Sequence, residues 1–195
     1  MTHINVYKNF ISEEYQEDIL SLVSSEDVEW MFSNYISNHP PGQVIDEKMA
    51  EHQYGFANNV FYEKFGGVLN QNLFKFFIPM LEAIETLEKK PIEKLFRFRL
   101  ALTTNIGGLT GTLVNPHIDM HKPHKTFLYY VNDCDGETVF YKEKWSGLPI
   151  HSFNVSQKIT PKKGEAVIFN GFHYHSSSVP VNNIARYTIN VNYTV

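Results

Sequence analysis

One cysteine, Cys134, in 195 residues leaves no intramolecular disulfide framework and no cysteine-rich zinc site. Basic charge is also scarce. Lys and Arg number 17 against 21 Asp and Glu, a net charge of −4, so the chain lacks the dense positive surface that grips a phosphate backbone. No apolar run approaches the ~20 residues that span a bilayer. The start, Met-Thr-His-Ile-Asn-Val-Tyr-Lys, has no basic stretch followed by an apolar one, which predicts a cytoplasmic protein without membrane contact. What is abundant is aromatic: 15 Phe and 11 Tyr within a 43% hydrophobic fraction, enough for a real core and too much for disorder.

The pattern along the chain places helices first. Ser12 is set to cap a helix that opens on Glu13 and Glu14 and carries Ile19, Leu20, Leu22 and Val23 near one face. Asn34 to Gly55, broken by Pro40-Pro41-Gly42, reads as a long irregular loop suited to covering a site. Asn72 to Lys89 reads as one further helix, started or kinked by Pro79 and with Phe74, Phe76 and Phe77 in its core. After Pro91 the period changes to two. Strands are expected at 95–104, 126–131, 138–141, 166–169 and 186–193, separated by turns such as Asp135-Gly136 and Lys163-Gly164. The expected fold is therefore α+β, mainly β: a single domain over 1–195, with mainly helical support in 1–92 and a jelly-roll core in 93–195.

His117-Ile118-Asp119 carries the first chemical signal. On extended backbone, positions i and i+2 share a face, so an imidazole and a carboxylate can occupy adjacent positions around a metal. One further ligand would complete a facial two-His, one-carboxylate site with open positions. An isolated His-x-Asp is usually a turn histidine beside a solvated aspartate. Here, however, a buried strand at 167–170 runs into a turn bearing His173 and His175, and an alternating strand begins at Arg186. An arginine turned into an apolar barrel requires an anionic partner, and a guanidinium fork suits a ligand carboxylate.

Together, His117-x-Asp119, a distal His175 and Arg186 resemble the signature of Fe(II)/2-oxoglutarate-dependent dioxygenases. Within them the chain is most similar to the prolyl-4-hydroxylase-like group, including its small bacterial and phage versions. Tyr129-Tyr130-Val131-Asn132 resembles the group's Tyr-Leu-Asn strand end. Asp135-Gly136-Glu137-Thr138-Val139-Phe140 resembles its Gly-Gly-Glu-Thr-x-Phe turn, with Asp135 in place of the first glycine. Arg186-Tyr187 opens a similar closing strand, and Tyr7 to Glu14 resembles the start of such domains. The resemblance implies a double-stranded β-helix (cupin-like jelly roll) with N-terminal helices, the cofactors Fe(II), 2-oxoglutarate and O2, and ascorbate as an accessory reductant. It implies iron on His117, Asp119 and His175, and 2-oxoglutarate on Arg186, Tyr130 and Thr126. It also implies hydroxylation of a C–H bond, a prolyl or similar amino-acid side chain first, with release of succinate and CO2. The partners expected are a peptide, protein or small-molecule substrate and no nucleic acid.

His173 competes with His175, which is favoured because Ser176 to Pro180 continues the family's His-x-x-x-x-Pro run. His121, His124 and Cys134 read as loop residues without a catalytic role, and Trp30 and Trp145 as packing. Arg97 and Arg99, alternating with Phe96 and Phe98, read as a solvated strand face, with a polar rim at the substrate mouth as the alternative. Two other functions are weighed. An oxidative nucleobase demethylase would carry a second Arg six positions after Arg186, where this chain has Asn192. A non-catalytic jelly-roll binding module would have no need of the intact ligand set.

Overall fold

The computed structural model describes residues 4–33, 54–105, 114–148, 150 and 152–195. Strands β1 (Asn5–Tyr7), β2 (Met31–Ser33), β3 (Gly55–Tyr62) and β4 (Gly67–Val68) alternate with helix α1 (Glu13–Ser24) in the first part of the chain. Helices α2 (Gln71–Phe76) and α3 (Ile78–Glu88) follow, then β5 (Lys94–Thr104), β6 (Lys125–Tyr130), β7 (Thr138–Lys144) and β8 (Val155–Ile159). The last three strands are β9 (Ala166–Asn170), β10 (His173–Ser177) and β11 (Ala185–Thr194). The larger sheet has the order β1-β9-β6-β11-β5-β3-β2 with β4 beside β3, and the smaller has β10-β7-β8. The strand pairs are antiparallel, the arrangement of a two-sheet jelly roll.

Period-two alternation sorts the larger sheet into two faces. Phe98 and Leu100 of β5, Phe127 and Tyr129 of β6, Ile168 of β9, and Ile189, Val191 and Tyr193 of β11 pack with Ile19, Val23, Phe77, Met80 and Ile84 of the helical layer. The other face holds Arg97 and Arg99, Thr126 and Tyr130, and Arg186, Thr188, Asn190 and Asn192. Register lines these up in rows: Thr103 opposite Arg186, and Arg97 opposite Asn192, which itself faces Thr126. The helices thus cover one face with apolar side chains and leave the polar face to the space toward the small sheet.

Three expectations change in detail. Asn72 to Lys89 is two helices meeting at Phe77, not one. Pro79 sits in the first turn of α3, where its missing N–H is harmless, and its ring forbids a continuous ladder through Lys75. The region 1–92 carries β1 to β4 as well as helices, and the Asn58-Asn59 pair hides β3 because asparagine is a poor strand former. Finally, His173 and His175 lie on a strand, β10, rather than in a turn. The expected loop 34–55 lies outside the described residues from 34 to 53; Gly55 opens β3. Ser12 caps α1 as expected, accepting from Tyr15 N at 3.3 Å.

Candidate active site

Two histidines are brought together by backbone, not by sequence proximity. His117 N donates to His175 O at 2.9 Å and His175 N to His117 O at 3.0 Å, a two-residue bridge that sets the imidazoles side by side with centroids 4.5 Å apart. Each ring is oriented by its own chain. The Nδ1 of His117 lies 3.0 Å from Asn115 O and that of His175 3.1 Å from His173 O. A carbonyl accepts only, so the proton belongs on Nδ1 and the Nε2 lone pair remains for a ligand. Burial, and then its neighbour His175, pushes His117 down to about 3; burial likewise lowers His175. Both are neutral imidazoles near pH 7.

Asp119 completes the cluster: one ligand atom from each of His117, Asp119 and His175 lies within 4.8 Å of the others. Its carboxylate is heavily supported. Oδ2 accepts from Asn192 Nδ2 at 2.8 Å, Asn190 Nδ2 at 3.1 Å and Thr126 Oγ1 at 3.3 Å, while Oδ1 accepts from Arg97 Nη2 at 2.7 Å. Burial alone would raise this carboxyl, but Arg97, the two imidazoles and the Asn192 amide outweigh it and hold it well below the usual carboxylate range. Oδ1, with one donor to Oδ2's three, keeps a lone pair for a cation. Two neutral nitrogens and one carboxylate oxygen form a donor set that suits Fe(II) and covers only one side of it.

Across a cavity from this cluster stands Arg186. Its Nε donates to Gly136 O at 2.8 Å and its Nη2 to Thr138 Oγ1 at 2.8 Å, and its guanidinium lies over the Tyr130 ring at 5.8 Å. Among the described residues no carboxylate pairs with it. The close approach depends on Gly136, where a Cβ would fall 2.8 Å from Ser178 O and 3.0 Å from Arg186 Cδ. Asp135, in place of the group's first glycine, accepts from Val181 N, Asn182 N and the Asn182 amide and so fixes the turn before Arg186. A buried guanidinium beside a cavity, with no carboxylate among the described residues to answer it, is the complement of a ligand carboxylate.

The structure brings His117, Asp119, His175 and Arg186 around one cavity and redirects four other expectations. Tyr130 reaches the cavity indirectly: its hydroxyl donates to Thr138 Oγ1 at 2.8 Å. Having accepted from both Tyr130 and Arg186, the Thr138 hydroxyl has its own hydrogen to give to a ligand oxygen, a role the sequence reading missed although Thr138 lay in the quoted motif. Thr126 sits at Asp119, seven residues away in sequence, rather than with Arg186; it shares a face with Tyr130, but two pairs of residues along a strand separate them. His173 is not part of the cluster: the pairing register shifts between it and His175, and its Nε2 lies 2.8 Å from Tyr141 O. Arg97 and Arg99 are not a solvated face: both line the cavity, and Arg97 is 6% exposed. Their apolar neighbours Phe98 and Leu100 point to the helices instead.

Residues 103–194 match the family model described as the 2OG-Fe(II) oxygenase superfamily. Similar solved structures include an oxidoreductase of the 2OG-Fe(II) oxygenase family from Burkholderia pseudomallei, at 12% identity and TM-score 0.62 over 99% of this chain and 84% of that one. A Pseudomonas putida prolyl-4-hydroxylase follows at 12% identity and TM-score 0.56, over 99% and 92%. The alpha ketoglutarate dependent epimerase SnoN from nogalamycin biosynthesis is similar at 12% identity and TM-score 0.62, over 99% and 78%. No curated protein gives a significant match. The matched stretch, where all four signature residues lie, is similar to the 2OG-Fe(II) oxygenase superfamily. Its fold is that superfamily's jelly roll, and Fe(II), 2-oxoglutarate and O2 are the superfamily's cofactors.

Proposed function

We propose that the protein is an Fe(II)- and 2-oxoglutarate-dependent hydroxylase, acting on the C–H bond of a prolyl or similar amino-acid side chain. The observation that carries this reading is the buried His117–Asp119–His175 cluster facing, across one cavity, a buried Arg186 that no described carboxylate answers. His117, Asp119 and His175 would hold iron; Arg186 and Thr138, with Tyr130 behind Thr138, would hold the distal carboxylate of 2-oxoglutarate. When bound, iron with 2-oxoglutarate and O2 supplies the oxidising power, and succinate and CO2 leave as co-products.

The chain's own contribution is orientation and charge. The carbonyls of Asn115 and His173 fix both imidazole tautomers, so that no proton must leave before a metal enters. Arg97, Asn190 and Asn192 hold the Asp119 carboxylate ionised and in one rotamer. The apolar wall of Leu128, Phe140, Val167 and Phe169 behind the site keeps bulk water away from it. The amide at Asn192, the position where a nucleobase demethylase would carry a second arginine, is committed to Asp119, which favours the amino-acid reading. The prolyl assignment rests on the similarity of the Tyr130, Gly136 and Arg186 motifs to the prolyl-4-hydroxylase-like group; the similar folds also catalyse epimerisation and carbocyclisation.

Oxygen-dependent succinate release with a panel of proline-containing peptides tests the reading. Wild-type protein should release succinate with a +16 Da peptide product. Asp119→Ala should lower turnover by at least about a hundredfold, since it removes a ligand and strands Arg97. Undiminished turnover in that variant would overturn the iron assignment.

A further inference from the structure

The polar face of the larger sheet ends in an amide without a partner. Register sets three residues in one row: Asn190 of β11 lies opposite Arg99 of β5, which lies opposite Asn59 of β3. The Asn190 amide is committed to Asp119. That of Asn58, the next residue along β3, donates to Glu29 O at 3.0 Å. The Asn59 carboxamide is half-buried, yet it makes no hydrogen bond among the described residues. It lines a second cavity, which opens beside the site along β2 and β3 and shares two lining residues with it.

Distance and charge narrow what can lie there. Two strand spacings, about 10 Å, separate Asn59 from Asn190 and so from the Asp119 carboxylate that Asn190 supports. Extended chain covers about 3.5 Å per residue, so two or three linked residues bridge that gap and a free amino acid does not. A free amino acid also carries an ammonium group. The described lining of both cavities offers it one carboxylate, Asp119, which is already paired with Arg97. Lys64, in the outer lining, opposes a second cation there. A neutral amide meets none of these objections. The Asn59 side chain has N–H donors and a carbonyl acceptor side by side, the complement of a peptide group. Around it the rim is apolar and open, with Met31, Phe32 and Phe65 each close to 60% exposed.

We infer that Asn59 is a specificity-determining residue: its carboxamide receives a neutral peptide group of the substrate, two or three residues from the target carbon, and the Met31, Phe32 and Phe65 rim receives the side chain beside it. This rests on the oxygenase reading for its reaction. It adds that the target belongs to an acylated, peptide-linked unit and not to a free amino acid.

The test is a calorimetric titration of the anaerobic Fe(II)–2-oxoglutarate protein with three probes: acetyl-Ala-Pro-Ala-Ala-methylamide, its leucine analogue acetyl-Ala-Leu-Ala-Ala-methylamide, and free proline. At least one capped peptide should bind about tenfold or more tightly than proline. Asn59→Leu keeps the size of the side chain and removes both hydrogen-bonding groups. It should weaken that peptide about tenfold while the Kd for 2-oxoglutarate holds, whereas a merely structural residue would move both. Proline binding as tightly as the peptides, no binding of either peptide, or peptide affinity unchanged in Asn59→Leu would overturn the inference. A +16 Da product from the leucine peptide alone, on admitting O2, would move the target away from proline and leave the subsite standing. If the visible band of the Fe(II)–2-oxoglutarate chelate does not form, the oxygenase reading fails separately. The same titration on the metal-free protein then still decides the role of Asn59.

Discussion

Asp119 shows how much of a buried carboxylate's behaviour is set by the residues around it. Four donors from three strands converge on it, Arg97 from β5, Thr126 from β6, and Asn190 and Asn192 from β11. The Arg97–Asp119 pair is buried, with side-chain exposures of 7% and 6%. Removing one partner of such a pair strands the other charge, a loss of about 3–5 kcal/mol. Arg97→Met should therefore lower metal-free stability in urea by an amount of that order, and Mn(II) or Fe(II), by answering the abandoned carboxylate, should restore part of it. A loss below 1 kcal/mol would show that the pair is not coupled as described. His117, Asp119, His175 and Arg186 are legible in sequence because their spacing is local or repeats a known pattern. Arg97, Asn190 and Asn192 are not, because period-two alternation says which residues share a face and not which face is the site. With Phe96 and Phe98 beside them, Arg97 and Arg99 look like the wet side of a strand until the helices are seen to cover the opposite one.

Among the elements, the strands of the second half are the most legible, since β5, β6, β7, β9 and β11 each carry unbroken alternation or a buried run between turn residues. Elements without such a pattern escape. β8 is a polar, largely exposed strand, and β10 reads His-Tyr-His-Ser-Ser, whose pairing with β7 is a matter of register rather than propensity. The turn between Cys134 and Thr138 matters most for function. Gly136→Ala would drive a methyl group against Ser178 O and Arg186 Cδ and displace the guanidinium. The Kd for 2-oxoglutarate should rise by about tenfold or more while Mn(II) affinity holds, as titrations of each would show. In the supporting layer, Phe77 is fully buried where α2 meets α3. Phe77→Ala should lower stability by about 3–5 kcal/mol.

At the scale of the molecule, a helical layer, a large sheet and a small sheet place one polar site between apolar walls. Among the described residues no helix is long and apolar enough to cross a membrane. The buried histidines give the whole fold a pH dependence. His117 falls to about 3 when folded, against about 6.5 when unfolded, and His175 moves in the same direction. Below pH 6.5 the unfolded chain binds protons that the folded one refuses, so stability is full above that pH and is lost as pH falls toward the folded values. The slope is up to about 1.4 kcal/mol per pH unit for each histidine. Thermal unfolding of the metal-free protein between pH 7.5 and 4.5 should show this decline, and His117→Gln should flatten it. A Tm independent of pH across that range would mean that the imidazoles are not held neutral.

The most direct measurement of the central claim is an anaerobic titration with Fe(II) and 2-oxoglutarate, followed by visible absorption. One chelate band per chain should saturate at one equivalent of iron, vanish in His175→Ala and persist in His173→Ala, whose ring is tied to Tyr141 O instead. A wild-type protein without the band, or a band lost with His173 and kept without His175, would contradict the site described here.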